Sequence, residues 1–485
     1  MERHAGALTD ELVPRMTRIS RRRLLRTAAT ISLAGLPMTT ACSPGEWFTR
    51  PDRTVRVAVP WSAAELAAFR RVVRALFAPG EAPPYDVQLV PLGDDIGTAI
   101  SARGAGRVDV VMLPQPGLVR EYRDALEPIP HDITRQHWQK YAPIWDSQLL
   151  QCGPQSEPRP YGLPFKFAHE SLVWYRRSAF DAAGVEPPST VDEWLAVDEA
   201  LTKAGISPLA IAGADGWMLT LFFENLLLGL SPVLYDELSQ PSSGLWTTAH
   251  VREVFVRLGT LWGAEGAIAG GVARSLATQF PDAVLEVFRF ERAAMVVVPD
   301  YAGPFVNRFG NPHDVGIFRF PRWSRLGPEH PTVAGGDAAV LTAPAGENAK
   351  DFVRRLARRD AAQVWSSLGG FIPADRTVLE RHTAETATQA NPISRRIAEL
   401  APSLFGPTCH FDLSDRIGAA GGREGLWRVL QDFLAAVGDG RADRAEKAAD
   451  EAVTRMAEFE ASVSREGEPD GISADQTCGG GGNAG

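Results

Sequence analysis

Cysteine is scarce in this chain, with four among 485 residues, Cys42, Cys152, Cys409 and Cys478. They form no CxxC, no cysteine–histidine cluster gathers around them, and no HExxH occurs, which excludes a structural zinc site. Neither a GxSxG nor a P-loop is present, so the common signatures of acyl and phosphoryl transfer are missing too. Positive charge is not in surplus: 50 Lys and Arg face 59 Asp and Glu, a net charge of −9. The basic residues are scattered except near the N-terminus, which argues against a nucleic-acid partner. Long apolar runs are absent after residue 42. "LTLFFENLLLGL" (219–230) comes nearest, but Glu224, Asn225 and its short length exclude a membrane span. What remains is the balance of a soluble globular protein, 45% hydrophobic and 22% charged, long enough for two or three domains.

The N-terminus has a readable order. "SRRRLLR" (20–26) precedes a modest apolar stretch, "TAATISLAGLP", and then "MTTAC". Basic, apolar and small residues in that order make an export signal over residues 1–41. Ser20, Arg21, Arg22, Leu24, Leu25 and Arg26 resemble the twin-arginine form of it. "TTAC" resembles a lipobox with Cys42 as the lipidated residue, although Thr39 stands where a leucine is usual. A diacylglyceryl group there would hold the protein at the outer face of the cytoplasmic membrane. Met16 is an alternative start, because residues 1–15 lie outside the signal pattern. Cys152 and Cys409 are either a disulfide or two buried thiols, and sequence alone does not bring them within bonding distance.

After a polar tether (42–53) the chain alternates. "TVRVAVP" (54–60) reads as a strand and residues 62–78 as a helix, with Ser62 as N-cap and Leu66, Phe69, Val73 and Leu76 on one face. Strands at 85–92 and 108–113 flank a further helix, which predicts a parallel α/β sheet. Apolar strands ending in Pro or Gly, followed by aromatic and polar residues, recur at "VAVPW", "VMLPQ", "AIAGADGW", "VVVPDY" and "VAGGD". Five such ends predict a cleft beyond the strand termini. The segment after 465 lacks apolar mass and is expected to be disordered. In "GLPFKFAHESLVWYRRSAF" (162–180), His169 and Glu170 interrupt a strand and must be paired or face a cavity.

"GRVDVVML", "GLPFKFAHESLVWYRRSAFDAAGVEPPSTVDEW", "KAGISPLAIAGADGW", "ERAAMVVVPDY", "VAGGDAAVL" and "LGGFIPAD" occur in an order that resembles extracellular solute-binding proteins of family 1, the maltose-binding-protein-like receptors of ABC importers. The resemblance spans about residues 54–460. It implies an α/β fold of the two-lobed periplasmic-binding-protein type II, with hinge crossovers. One lobe is expected from 54–166 with 328–370, the other from 167–327 with 371–465. It also implies a sugar or oligosaccharide captured between the lobes, an ABC permease as partner, a monomer, and no cofactor, metal or catalysis.

A sugar needs aromatic plates and planar hydrogen-bonding groups. Trp61, Trp217, Tyr301 and Phe371 are the candidate plates. Gln115, Glu170, Asp215, Asp300 and Asp337 are the candidate hydroxyl partners, with Gly335 and Gly336 admitting a close backbone approach. The resemblance places His169 on the first crossover. His169 and Glu170 alternate there, one towards the cleft and one towards the hinge. Trp174 and Trp194 are expected in the core, and Trp365 near the last crossover suits either duty. Three rival readings remain: a receptor for a polyamine, peptide or glycerol derivative, a glycosidase built on a carboxylate pair, and a lipoprotein without transport duty that acts as a sensor or adhesin.

Overall fold

The computed structural model describes residues 53–466 apart from 78–79, 81, 153–156, 241–242, 328 and 388–390. The export signal, Cys42, Met16 and the tail expected after 465 (from residue 467) lie outside the described residues. In chain order the strands are β1 (Thr54–Val59), β2 (Asp86–Pro91), β3 (Val110–Leu113), β4 (Leu126–Glu127), β5 (Leu150–Cys152), β6 (Pro158–Pro160) and β7 (Leu163–His169). They continue as β8 (Leu172–Arg176), β9 (Leu209–Ala210), β10 (Met295–Val297), β11 (Val315–Arg319), β12 (Thr332–Thr342), β13 (Ile372–Pro373) and β14 (Cys409–Phe411).

Val55, Val57, Ala58 and Val59 are all buried, so β1 is covered on both faces. Such a strand needs partners on either side, and it pairs in parallel with β2 and β3. Helix α1 (Ala63–Ala75) turns Leu66, Phe69 and Val72 inward. Ser62 stands at its N-cap in extended conformation, but its side chain makes no capping bond. The first sheet runs β13-β7-β12-β3-β1-β2, with β4 and β14 also on β12. It is mixed rather than wholly parallel, because β12 enters antiparallel to both β3 and β7. The second sheet runs β11-β8-β10-β9.

Two apolar cores result, one on each sheet. Phe69, Phe167, Ala334, Trp365 and Phe371 belong to the first; Trp174, Trp194, Val333 and Leu413 belong to the second. The chain therefore crosses between His169 and Leu172, again inside β12 between Val333 and Ala334, and again between Phe411 and Leu413. This corrects the expected division at 370/371. Phe371, Leu379, Leu404 and Phe411 pack in the first core, held there because β13 pairs with β7 at Phe167 and Lys166. The helix Pro392–Leu400 alone in that stretch leans across, through Ile393 and Leu400.

The apolar run at 219–230 is helix α2 (Gly216–Leu230), buried along nearly its whole length. Two of its polar residues, Glu224 and Asn225, anchor the crossovers. Glu224 accepts from the amides of Leu413 (2.7 Å) and Ser414 (3.0 Å) and from the Tyr235 hydroxyl (3.0 Å). Asn225 Nδ2 donates to the Glu170 carbonyl at 3.1 Å.

A candidate ligand-binding cleft

Between the two cores lies a cavity of about 230 Å³. One wall comes from the end of β1 and the start of α1, through Pro60, Trp61 and Glu65, with Gln115 beyond β3. The crossover strands give its floor, through Lys166, Glu170, Gly336 and Asp337. The opposite wall holds Trp217, Phe280, Tyr301 and Trp427, with Asp412 and Asp415 beside the last crossover.

Seven of the twelve residues expected from sequence line this cavity: Trp61, Gln115, Glu170, Trp217, Tyr301, Gly336 and Asp337. The other five do not, and each has another duty. His169 is fully buried on the hinge. Ser403 Oγ donates to the Leu400 carbonyl (2.7 Å), so it accepts from His169 Nε2–H at 3.1 Å. That leaves Nδ1 to accept the Ser171 amide at 3.4 Å. Burial, then Arg319, lowers the imidazole pKa to about 3, so the ring is neutral. Asp300, also fully buried, accepts the His169 amide at 2.7 Å instead of facing a ligand. Asp215 accepts the Phe280 amide and so ties two cleft-facing elements together. Phe371 stacks on Trp365 at 5.0 Å inside the first core. Gly335 makes room for Glu170, since a Cβ there would meet Glu170 Oε1 at 2.1 Å. Gly336 does line the cleft, but a Cβ on it would meet the Lys166 carbonyl at 2.3 Å, so packing also demands glycine.

Trp61 combines two readings. It is 4% exposed, packed on Phe69 (4.7 Å) and Trp365 (4.8 Å), and its remaining edge reaches the cavity. Trp217 is partly exposed and lies 6.5 Å from Tyr301, centroid to centroid.

Lys166 was missed by sequence reasoning, although it is a third charged residue in the same apolar strand as His169. Its ammonium lies 2.7 Å from Glu65 Oε1 and 3.9 Å from Asp337 Oδ2. It also sits 4.6 Å over the Tyr301 ring and 5.4 Å over that of Trp365. Burial opposes its charge, but Glu65 and Asp337 outweigh that and hold its pKa above the ordinary lysine value. Burial raises Asp337 to about 7, against the pull of Lys166. Burial, then Asp412, pushes Glu170 well above the carboxylate range, and burial with the same neighbour does so for Asp415. Asp412 and Asp415 were missed because "FDLSDR" joins two halves that only the third crossover brings together. Asp412 Oδ1 accepts from the Asp415 amide (2.8 Å) and the Ser414 hydroxyl (2.7 Å). Trp427 and Phe280 lay within helices, where aromatic residues read as core. Among the described residues no group of three or more His, Cys, Asp or Glu is arranged to hold a metal ion. The two cysteines are not paired with each other: Cys409 is a free, half-buried thiol, while Cys152 is disulfide-bonded.

A cleft with most of its aromatic faces on one wall, carboxyls on both walls and the floor, and crossing strands beneath it can grip a polar ring compound. Comparisons with known proteins point the same way. The chain is 25% identical over 410 residues to the alpha-glucosides-binding periplasmic protein AglE of Rhizobium meliloti, covering 79% of this chain and 83% of that one. It is 26% identical over 365 residues to the osmoprotective compounds-binding protein GgtB of Synechocystis, covering 69% and 82%. A solved chitin oligosaccharide binding protein has the same two-lobed fold, with a TM-score of 0.64 at 18% identity over 83% of this chain and 99% of that one. The family model for bacterial extracellular solute-binding proteins matches residues 60–363. This chain belongs to that family of exported binding proteins.

Proposed function

We propose that this protein captures a sugar or oligosaccharide in the cleft between its two cores and delivers it, unchanged, to the permease of an ABC importer. The observation that carries this reading is the convergence of Trp217, Tyr301 and Trp427 with Glu170, Asp337 and Asp412 on one cavity. Aromatic faces suit the C–H face of a pyranose, and carboxyls suit its hydroxyls. Relatives and structural neighbours described as binding alpha-glucosides, chitin oligosaccharide and raffinose support it. A ligand touching both walls favours the closed arrangement by its extra contacts there, and expelling water strengthens the hydrogen bonds that select it. We further propose export through the twin-arginine-like signal, a lipid anchor on Cys42, a monomeric state and no catalysis of its own.

A thermal-shift screen against mono-, di- and oligosaccharides tests this directly, since a ligand of the folded state raises the melting point with concentration. Trp427 and Trp217 are both partly exposed, so alanine at either should weaken sugar binding by about tenfold, near 1.4 kcal/mol, and leave the unliganded melting point close to wild type. Unchanged affinity in both variants would remove these rings from the site. A non-sugar cationic solute is the second reading, favoured by the surplus of acidic groups in the cleft; a shift with spermidine and none with any carbohydrate would select it.

A further inference from the structure

Five carboxyl side chains line the cavity, Glu65, Glu170, Asp337, Asp412 and Asp415, against one basic side chain among the described residues, Lys166. Lys166 is already engaged by Glu65 and Asp337. Glu170, Asp412 and Asp415 have no ion-pair partner among the described residues. Glu170 is 8% exposed, lines the cavity, and its Oε2 is buried with no hydrogen-bond partner. Burial first, and then the neighbouring Asp412, push its pKa well above the carboxylate range, as expected where acids share a corner of the cleft without a cation. The cleft also shows how it accommodates a cation, because the Lys166 ammonium rests on the Tyr301 ring between two carboxyls.

Resting on the sugar reading above, we infer that the preferred ligand is a saccharide bearing a protonated amine, with the ammonium seated against Glu170, Asp412 and Asp415 and the ring against Trp217 and Trp427. Neutral sugars would leave Glu170 Oε2 to be satisfied by a retained proton. An ammonium replaces that proton, which is released to solvent as the charge-assisted hydrogen bonds form. The raised pKa values of Glu170 and Asp415 supply the proton that is lost.

Matched pairs test this by calorimetry on the full folded protein: glucosamine against glucose, chitosan disaccharide against cellobiose, and trehalosamine against trehalose. At least one amine should bind about tenfold tighter than its neutral partner. Its binding heat should change with the ionisation enthalpy of the buffer, as proton release requires. Glu170→Gln, and independently Asp415→Asn in case the first fails to fold, should bring the affinity ratio towards one. Equal or tighter binding of every neutral member would overturn this inference and leave the sugar reading standing. An amine preference that survives in both folded variants would overturn the seat assigned here. Binding of spermidine alone, with no saccharide of either kind, would overturn both readings.

Discussion

At Lys166 an ammonium has been carried into a position 3% exposed, where two carboxyls and two rings meet it. Removing water from both members of such a pair is costly, and neighbours decide which stays charged. Lys166 keeps its charge; Asp337 is the member whose pKa is pushed up, to about 7. Its folded pKa lies above its ordinary 3.8, so between about pH 4 and 7 the folded state holds a proton that the unfolded chain has released. Its contribution to stability is full below pH 4 and is lost as pH rises through 7. His169 works in the opposite sense, since its folded value near 3 costs stability as pH falls below 6.5. Asp337→Asn should therefore lessen the fall in urea midpoint between pH 4 and 7, and a slope identical to wild type would refute the assignment. The oddity of polar side chains interrupting an apolar stretch is read from the sequence at His169 and Glu170, but Lys166, in the same stretch, is passed over. Which one faces the ligand is not legible, because register against β12 decides it: His169 pairs with Ala334 and Lys166 with Asp337.

The element whose meaning changed most is α2. In the sequence, Glu224 and Asn225 serve only to exclude a membrane span from an apolar run. In the fold, Glu224 is the acceptor that receives the chain after its third crossing, at the amides of Leu413 and Ser414. Nothing near residue 224 in sequence announces this, since its partners are almost two hundred positions away. Glu224→Leu strands the two buried amides of Leu413 and Ser414, while the Tyr235 hydroxyl keeps the Phe411 carbonyl (2.9 Å) as acceptor, and should cost about 3 kcal/mol by urea denaturation. Glu224→Gln keeps one acceptor oxygen and should cost clearly less. Equal stability of the leucine variant and wild type would show that these hydrogen bonds contribute nothing. The strands fare better from sequence, because their apolar runs and Pro or Gly ends are local signals; β1, β2 and β3 stand where alternation puts them. The boundary near residue 370 failed because core membership there depends on the pairing of β13 with β7, and Ile372–Pro373 is too short to carry a pattern.

For the whole molecule, three crossings between two cores define where movement can occur. The cleft lies beside these strands, so on the proposed reading a ligand held by both walls would draw the cores together about them. A compact body spanning residues 53–466 has a radius of gyration of about 22 Å. Solution scattering should show a drop from its unliganded value when a binding sugar is added. A curve unchanged at saturating ligand would mean that the cavity is filled without closure.

One further consequence concerns how such a receptor can be re-engineered. Because β12 runs unbroken from Val333 in one core to Ala334 in the other, neither half is a contiguous gene segment. A chimaera that borrows the second half of a relative needs matched splices at 169–172, 333–334 and 411–413 together; swapping a single stretch would orphan a strand in each parent.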